Sequence, residues 1–247
     1  MNAKWLEKFV VYRNSGNGMD LLHQIISQKI AYQFGVVGMR LKAKKFIGEI
    51  KNVNEGKKLL LVEARAAKEY WRYFEENVKA RIDCRGRRPR GNDALNNLLD
   101  VGYHYLSQKV SRVFEETDIP ADLGILHKAQ SKNAKPLVYD FMEWLRPIVD
   151  DVLMKFIRKK KKYIERVSQK EISYFLFLVK GRFEKDFYNK RLKYCISLKY
   201  WIKLVALEMR GAVSENRKAI FNFPSLRHEN RCKTNPAHQS GGINNQR

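Results

Sequence analysis

The chain has 247 residues, of which 44% are hydrophobic and 12% aromatic, a balance that belongs to a folded protein and excludes a disordered one. Lys and Arg number 49 against 26 Asp and Glu, a formal net charge of +23; such an excess repels itself in the compact state and points to an anionic partner, nucleic acid ahead of a membrane surface. Three scattered cysteines (Cys84, Cys195, Cys232) with no CxxC pair argue against a disulfide framework or a zinc ribbon, and apolar runs such as residues 174–179 fall far short of the roughly 20 residues that span a bilayer.

The first residues lack the apolar run and small-residue cleavage site of a signal peptide, so a reducing, cytoplasmic compartment is expected. Residues 3–13 read as a short amphipathic helix, capped by Asn2 and stopped by NSGNG. From Asp20 onward, Leu22, Ile25, Ile26 and Ile30 recur at the helical period, and RLKAKKFIGEIKNVNEG continues helical in part. Residues 57–79 form the clearest helix: Leu59, Leu60, Ala66, Ala67, Tyr70 and Phe74 make one face, with Glu63 in its middle. Gly86, Pro89 and Gly91 then break RIDCRGRRPRGND (81–93), which is crowded with arginines, and Asp93 caps the next helix. Pro120 and Gly124 mark a connection. Pro136 suits a first helical position, and Pro147 is expected to kink that helix because it cannot donate to the carbonyl of Glu143. Beyond 152 the chain reads as helical and basic to about Val213. With no strand-rich region and no repeats, the fold class is all-α: a helix and turn over 1–19, a multi-helix domain over 20–222, and a polar, disordered tail over 223–247.

Four side chains stand out against this background. Glu63 is a lone carboxylate on an apolar, alanine-rich face, costly unless a cation, a metal or a donor meets it. From that helix alone, an ion-paired glutamate is the favoured reading. Asp140 and Glu143 lie three residues apart on one helix face and repel unless something positive sits between or opposite them; Arg146, three residues on from Glu143, can serve. His127 by itself reads more readily as a hydrogen-bonded core histidine than as a ligand. Together, however, Glu63, His127 and Glu143 come from three separate segments and suit one hard ion. Carboxylates plus imidazole fit Mg²⁺ or Mn²⁺, and the histidine tilts the choice toward Mn²⁺. Such an ion polarises a phosphodiester and activates an attacking oxygen.

The blocks VEARAAKEYW, GRRPRGNDALNNLLDVGYHYL and DIPADLGILHKAQSKNAKPLVYDFMEWLRPIVD carry a resemblance. They are similar, in order and spacing, to the motif blocks of the CRISPR-associated adaptation endonuclease/integrase ("Cas-one") family. The resemblance covers roughly residues 20–213, the family's helical catalytic domain. It implies a metal held by Glu63, His127 and Glu143, with Asp140 at a further acidic position that assists the metal or its water. It gives the arginine loop a role on DNA, through Arg85, Arg87, Arg88 and Arg90. Lys29, in SQKIAYQ, matches a family pattern, and Lys159 and Lys160 fall in the run KFIRKKKK; these three are also assigned to DNA.

The function so implied is a metal-dependent DNA endonuclease and integrase that inserts short foreign segments into a CRISPR repeat array by transesterification. Its partners would be double-stranded DNA and the small adaptation protein "Cas-two", in a prokaryotic cytoplasm. The family usually begins with a β-rich N-terminal domain that builds its dimer. Nothing strand-rich precedes Glu63, so homodimerisation is in doubt, and a fragment, a frameshift and a reduced variant all remain open. The competing expectation is a catalytically inactive, basic DNA-binding helical module, which predicts salt-dependent binding with no metal effect. A membrane-surface protein would need a one-sided apolar face, which residues 155–213 do not offer.

Overall fold

Leu22, Ile26, Lys29 and Gln33 fall three or four residues apart, so one stripe of the second helix is turned inward. The computed structural model, which describes residues 3–127, 134–189 and 192–225, builds this helix, α2, over Gly16–Val36. It follows α1 (Ala3–Arg13) after a break of two residues, because the glycines of NSGNG open α2 instead of ending α1. The cap expected of Asn2 lies outside the described residues.

Next come α3 (Arg40–Lys51) and α4 (Gly56–Val78). The inward stripe of α4 is Leu59, Val62, Ala66, Tyr70, Phe74 and Val78, whereas Leu60 is 42% exposed. The buried face is therefore rotated from the expected one, and Glu63 sits at its edge rather than its middle. The arginine-rich loop follows, and Asp93 caps α5 (Ala94–Glu116) as expected, accepting from the Asn96 N–H at 3.0 Å. On α5, a Cβ at Gly102 would stand 2.5 Å from a Val149 methyl, so only glycine permits this approach to the helix that carries Val149.

Pro136 begins α6 (Pro136–Met142), but Pro147 does not kink it. The helix ends, residues 143–145 form a turn, and α7 (Arg146–Arg158) starts afresh with Pro147 in its first turn, where the missing N–H costs nothing. Glu143 thus stands at a junction between two helices. α8 (Gln169–Phe183) opens with a capping box between Ser168 and Glu171. The expectation of continuous helix then fails: Asp186–Asn189 (β1) and Tyr194–Ser197 (β2) pair as an antiparallel hairpin, with Phe187 opposite Ile196 and both buried. The period-two burial of Phe187 and Asn189 is the strand signal, and it was short enough to be lost among helices. Last is α9 (Leu198–Glu215), capped by Ser197 and ended by Asn216 in the left-handed conformation (φ 49°). The fold class is helical, as expected, with this hairpin its one sheet among the described residues.

α2 packs on α1, α3, α4 and α7, and α5 packs on α6, α7, α8 and α9. α7 joins the two groups, touching α2, α4, α5 and α8, so side chains from α2, α4, α5 and α7 meet in the interior. After α9 the chain returns across this core: the Asn222 carbonyl accepts from the Trp201 indole, the Pro224 carbonyl from the Tyr32 hydroxyl, and the Phe223 ring lies 4.9 Å from that of Trp144. The chain stays seated past the boundary expected at residue 223; the rest of the expected tail, 226–247, lies outside the described residues. No described helix is long and apolar enough to cross a membrane.

Candidate active site

Lys29 reaches inward from α2 and meets two carboxylates at once. Its Nζ lies 2.6 Å from Glu63 Oε1 on α4 and 2.5 Å from Glu143 Oε2 at the α6–α7 junction. The three side chains are largely buried, at 11%, 18% and 7% exposure. Arg146, one turn beyond Glu143, holds the other oxygen of that carboxylate at 2.9 Å. Burial pushes the Glu143 carboxyl up, but Lys29 and Arg146 outweigh it and hold the pKa at about 2. Burial likewise pulls the Lys29 ammonium down, and Glu143 and Glu63 outweigh that too, leaving it above the ordinary lysine value. Lys29 was expected on DNA; it is instead the cation that two of the expected metal ligands share.

His127 and Asp140 form a second unit. Asp140, 1% exposed, accepts from the backbone N–H groups of Ile125 (2.5 Å), Leu126 (3.1 Å) and His127 (2.9 Å), and its Oδ1 lies 2.6 Å from His127 Nδ1. Both oxygens are committed to this loop. Asp140 therefore orients His127, rather than standing free to assist a water as the resemblance implied. With Nδ1 facing the carboxylate, Nε2 is left as the nitrogen able to ligate or take a proton. The imidazole is 41% exposed and lies near enough to Glu143 to act on its charge.

Gly124 explains the tightness of this loop. A Cβ there would stand 2.3 Å from the His127 carbonyl and 2.8 Å from Asp140 Oδ2. Gly124→Ala should therefore push the loop off Asp140 while the helices stay in place. We expect a loss of about 1–3 kcal/mol in urea unfolding, the usual range for overpacking, and a shifted His127 ring resonance by NMR. An unmoved resonance would contradict the loop's dependence on Asp140.

A divalent ion has a mixed fit here. Glu63 and Glu143 converge on one cation position, and two carboxylates suit a hard divalent ion. Among the described residues, though, no three His, Cys, Asp or Glu side chains stand together as a metal-holding set. Between Glu63 and Glu143 stands the Lys29 ammonium, paired with both.

Behind Arg146 the polar seam continues in a form that the sequence reading missed. The Arg146 guanidinium lies over the Tyr103 ring, 4.9 Å from its centre. Tyr103 and Tyr70 both donate to Asp150, at 2.5 and 2.8 Å, and burial pushes that carboxyl up to about 6, against the two hydroxyls. The spacing offered a signal on α4 alone: Tyr70 lies seven residues, two helical turns, after Glu63, whereas Asp150 stands on α7, beyond the break that follows Met142.

The basic residues differ in pairing and exposure, and Arg85 is exposed while lying 3.7 Å from Asp83. Arg87 is bound to Asp100 (2.9 Å) and Asn96 (2.8 Å), and Lys160 to Glu171 (2.7 Å). Arg85, Arg88, Arg90 and Lys159 are exposed. A parallel bridge between Ile82 and Ile164, with the Arg81 guanidinium donating to the Lys160 carbonyl at 2.9 Å, ties the arginine loop to the lysine run. Two basic stretches about eighty residues apart thus share one surface.

A model of the family described as CRISPR associated protein Cas1 matches residues 5–184. The CRISPR-associated endonuclease Cas1 1 of Saccharolobus solfataricus is 32% identical over 133 residues, which is 52% of this chain and 37% of that protein. The chain thus spans well under half the length of this curated relative. A solved casposase bound to integration product superposes with a TM-score of 0.74 at 19% identity, covering 88% of this chain and 70% of that one. A partial Cas6-RT-Cas1–Cas2 complex contains a chain of TM-score 0.74 and 20% identity, covering 91% of this chain and 74% of that chain. At these identities the solved structures share the fold.

Proposed function

Because the chain belongs to the Cas1 family, whose model matches residues 5–184, we propose that it is a divalent-metal-dependent DNA endonuclease and integrase acting in CRISPR adaptation. The observation that carries this reading is the convergence of Glu63 and Glu143 on one cation position, with Asp140 orienting His127 near enough to act on the Glu143 charge. Glu63, Glu143 and His127 would hold Mg²⁺ or Mn²⁺, which when bound stabilises negative charge on a transferred phosphoryl group. The chain's own residues do the rest. Asp140 fixes which imidazole nitrogen faces the site. Arg146 keeps Glu143 ionised. Arg85, Arg88, Arg90 and Lys159 position DNA by its phosphates, and Lys160 and Arg87 brace the surface that carries them. In the transfer step a DNA 3′-hydroxyl forms one P–O bond as another breaks, so the phosphodiester count is unchanged.

The partners proposed are double-stranded DNA and a small Cas2-type protein; the former is supported by the casposase bound to integration product, the latter by the Cas1–Cas2 complex. One observation favours a second reading, a catalytically idle DNA-binding module: Lys29 already pairs with both acids. A single assay separates the two. Purified protein is mixed with a DNA end bearing a free 3′-hydroxyl, a repeat-like duplex and Mn²⁺, across a salt series. The enzyme yields a joined, branched strand; the idle module yields binding that falls steeply with salt and no product at any metal concentration.

A further inference from the structure

Lys29 comes from a helix that carries neither acid, yet its ammonium makes two of the shortest ion pairs described here. Four of its helix neighbours, Leu22, Ile25, Ile26 and Ile30, are buried apolar side chains. An ammonium in such surroundings is held only by what it pairs with. The acids have the converse need, since two buried carboxylates left facing each other would repel. The metal-free protein therefore requires a cation at this point, and the chain supplies its own.

Arg146 sharpens the argument. It takes Glu143 Oε1, so Oε2 is the oxygen open to another cation, and Lys29 holds it. On Glu63 the Lys29 contact is to Oε1. A divalent ion ligated by both acids would need these same oxygens, and an ammonium and a dication cannot share so small a space. We propose that Lys29 is a built-in counter-cation that occupies the position between Glu63 and Glu143 in the metal-free protein, and that a divalent ion must displace it to bind. This rests on the metal reading above and adds to it an internal competitor. Displacement is feasible because the lysine stem is flexible and ends in a compact charge that can swing away. Its consequence is a threshold. The acids are ready for an ion only in the fraction of molecules whose lysine has left, and the apparent metal affinity is lowered by that fraction.

The test is Mn²⁺ binding, followed by loss of the free-ion EPR signal, for the wild-type chain, Lys29→Met and Glu143→Gln. Lys29→Met should bind Mn²⁺ about tenfold more tightly or better, and Glu143→Gln should lose the site. Because two buried acids without a cation work against the folding of Lys29→Met, a second measurement uses the wild-type protein alone. Reductive methylation of Lys29, read by mass spectrometry, should accelerate severalfold when saturating Mn²⁺ drives the ammonium out. Equal or weaker binding by Lys29→Met, with Glu143→Gln still losing the site, overturns the displacement and leaves the metal reading standing; so does a Lys29 methylation rate that Mn²⁺ leaves unchanged. Absence of any Glu143-dependent Mn²⁺ binding in all three proteins overturns both.

Discussion

Glu143→Gln should abolish Mn²⁺-dependent strand transfer, by about 10²-fold or more, while DNA binding stays near the wild-type level. The size of the effect follows from charge at a preorganised site, where removing one electrostatic contributor typically costs two to three orders of magnitude. Glutamine keeps the volume of the side chain and removes only its charge. That charge is the one shared between Lys29 at 2.5 Å and Arg146 at 2.9 Å. Without it a buried cluster of two cations is left with Glu63 as its near anion, and breaking such a pair costs about 3–5 kcal/mol. The variant should therefore also melt earlier. Glu63→Gln should lose activity comparably but less stability, because Glu63 is more exposed (18% against 7%) and meets Lys29 alone in this cluster. DNA binding is spared because the proposed phosphate contacts come from the exposed Arg85, Arg88, Arg90 and Lys159, whereas Glu143 is buried. Strand transfer, thermal melting and filter binding on the same preparations check all three parts. Retained transfer by Glu143→Gln would remove Glu143 from the site.

The acids were legible because carboxylates on apolar helical faces are conspicuous, and so was the Asp93 cap, which sequence spacing alone specifies. What joined the acids was not. Lys29 sits in a periodic stripe between Ile26 and Ile30, where a lysine reads as an interruption or a surface charge; only the approach of α2 to α4 and α7 turns it into their shared partner. Asp140 was legible as an acid but not in its role. An i, i+3 relation to Glu143 suggests a pair, yet the break of the helix after Met142 separates the two, one facing the His127 loop and the other Lys29. That break was half visible, since Pro147 forbids a continuous hydrogen-bond ladder; whether a proline bends a helix or starts a new one depends on tertiary packing. The hairpin at 186–197 was hidden for a different reason. Two four-residue strands provide too few alternations to outweigh the helical periodicity on either side.

A second large effect concerns the group that no motif indicated. Asp150→Asn should flatten a fall in stability that the wild-type protein undergoes between about pH 4 and pH 6. Burial raises the Asp150 carboxyl from 3.8 to about 6. In that interval the folded protein holds a proton that the unfolded chain has released. The slope of unfolding free energy with pH follows the protons bound unfolded minus those bound folded, so it is negative here, and stability falls as pH rises. At about 1.4 kcal/mol per unit, the group withdraws roughly 3 kcal/mol by neutral pH. Glu143 acts in the opposite sense: its pKa, lowered to about 2, gives stability that is complete above about pH 4.5 and is lost as pH falls through 2. The sum of these two contributions peaks near pH 4–5. Urea unfolding of the wild type and Asp150→Asn from pH 4 to 7 measures the difference directly. The curves should converge toward pH 4 and separate by about 3 kcal/mol at pH 7, with the variant the more stable. Parallel curves would mean that Tyr70 and Tyr103, at 2.8 and 2.5 Å, solvate an ionised Asp150 well enough to cancel its burial. The seam behind Arg146 would then carry one more negative charge than burial favours, and the net charge around Glu143 would have to be recounted.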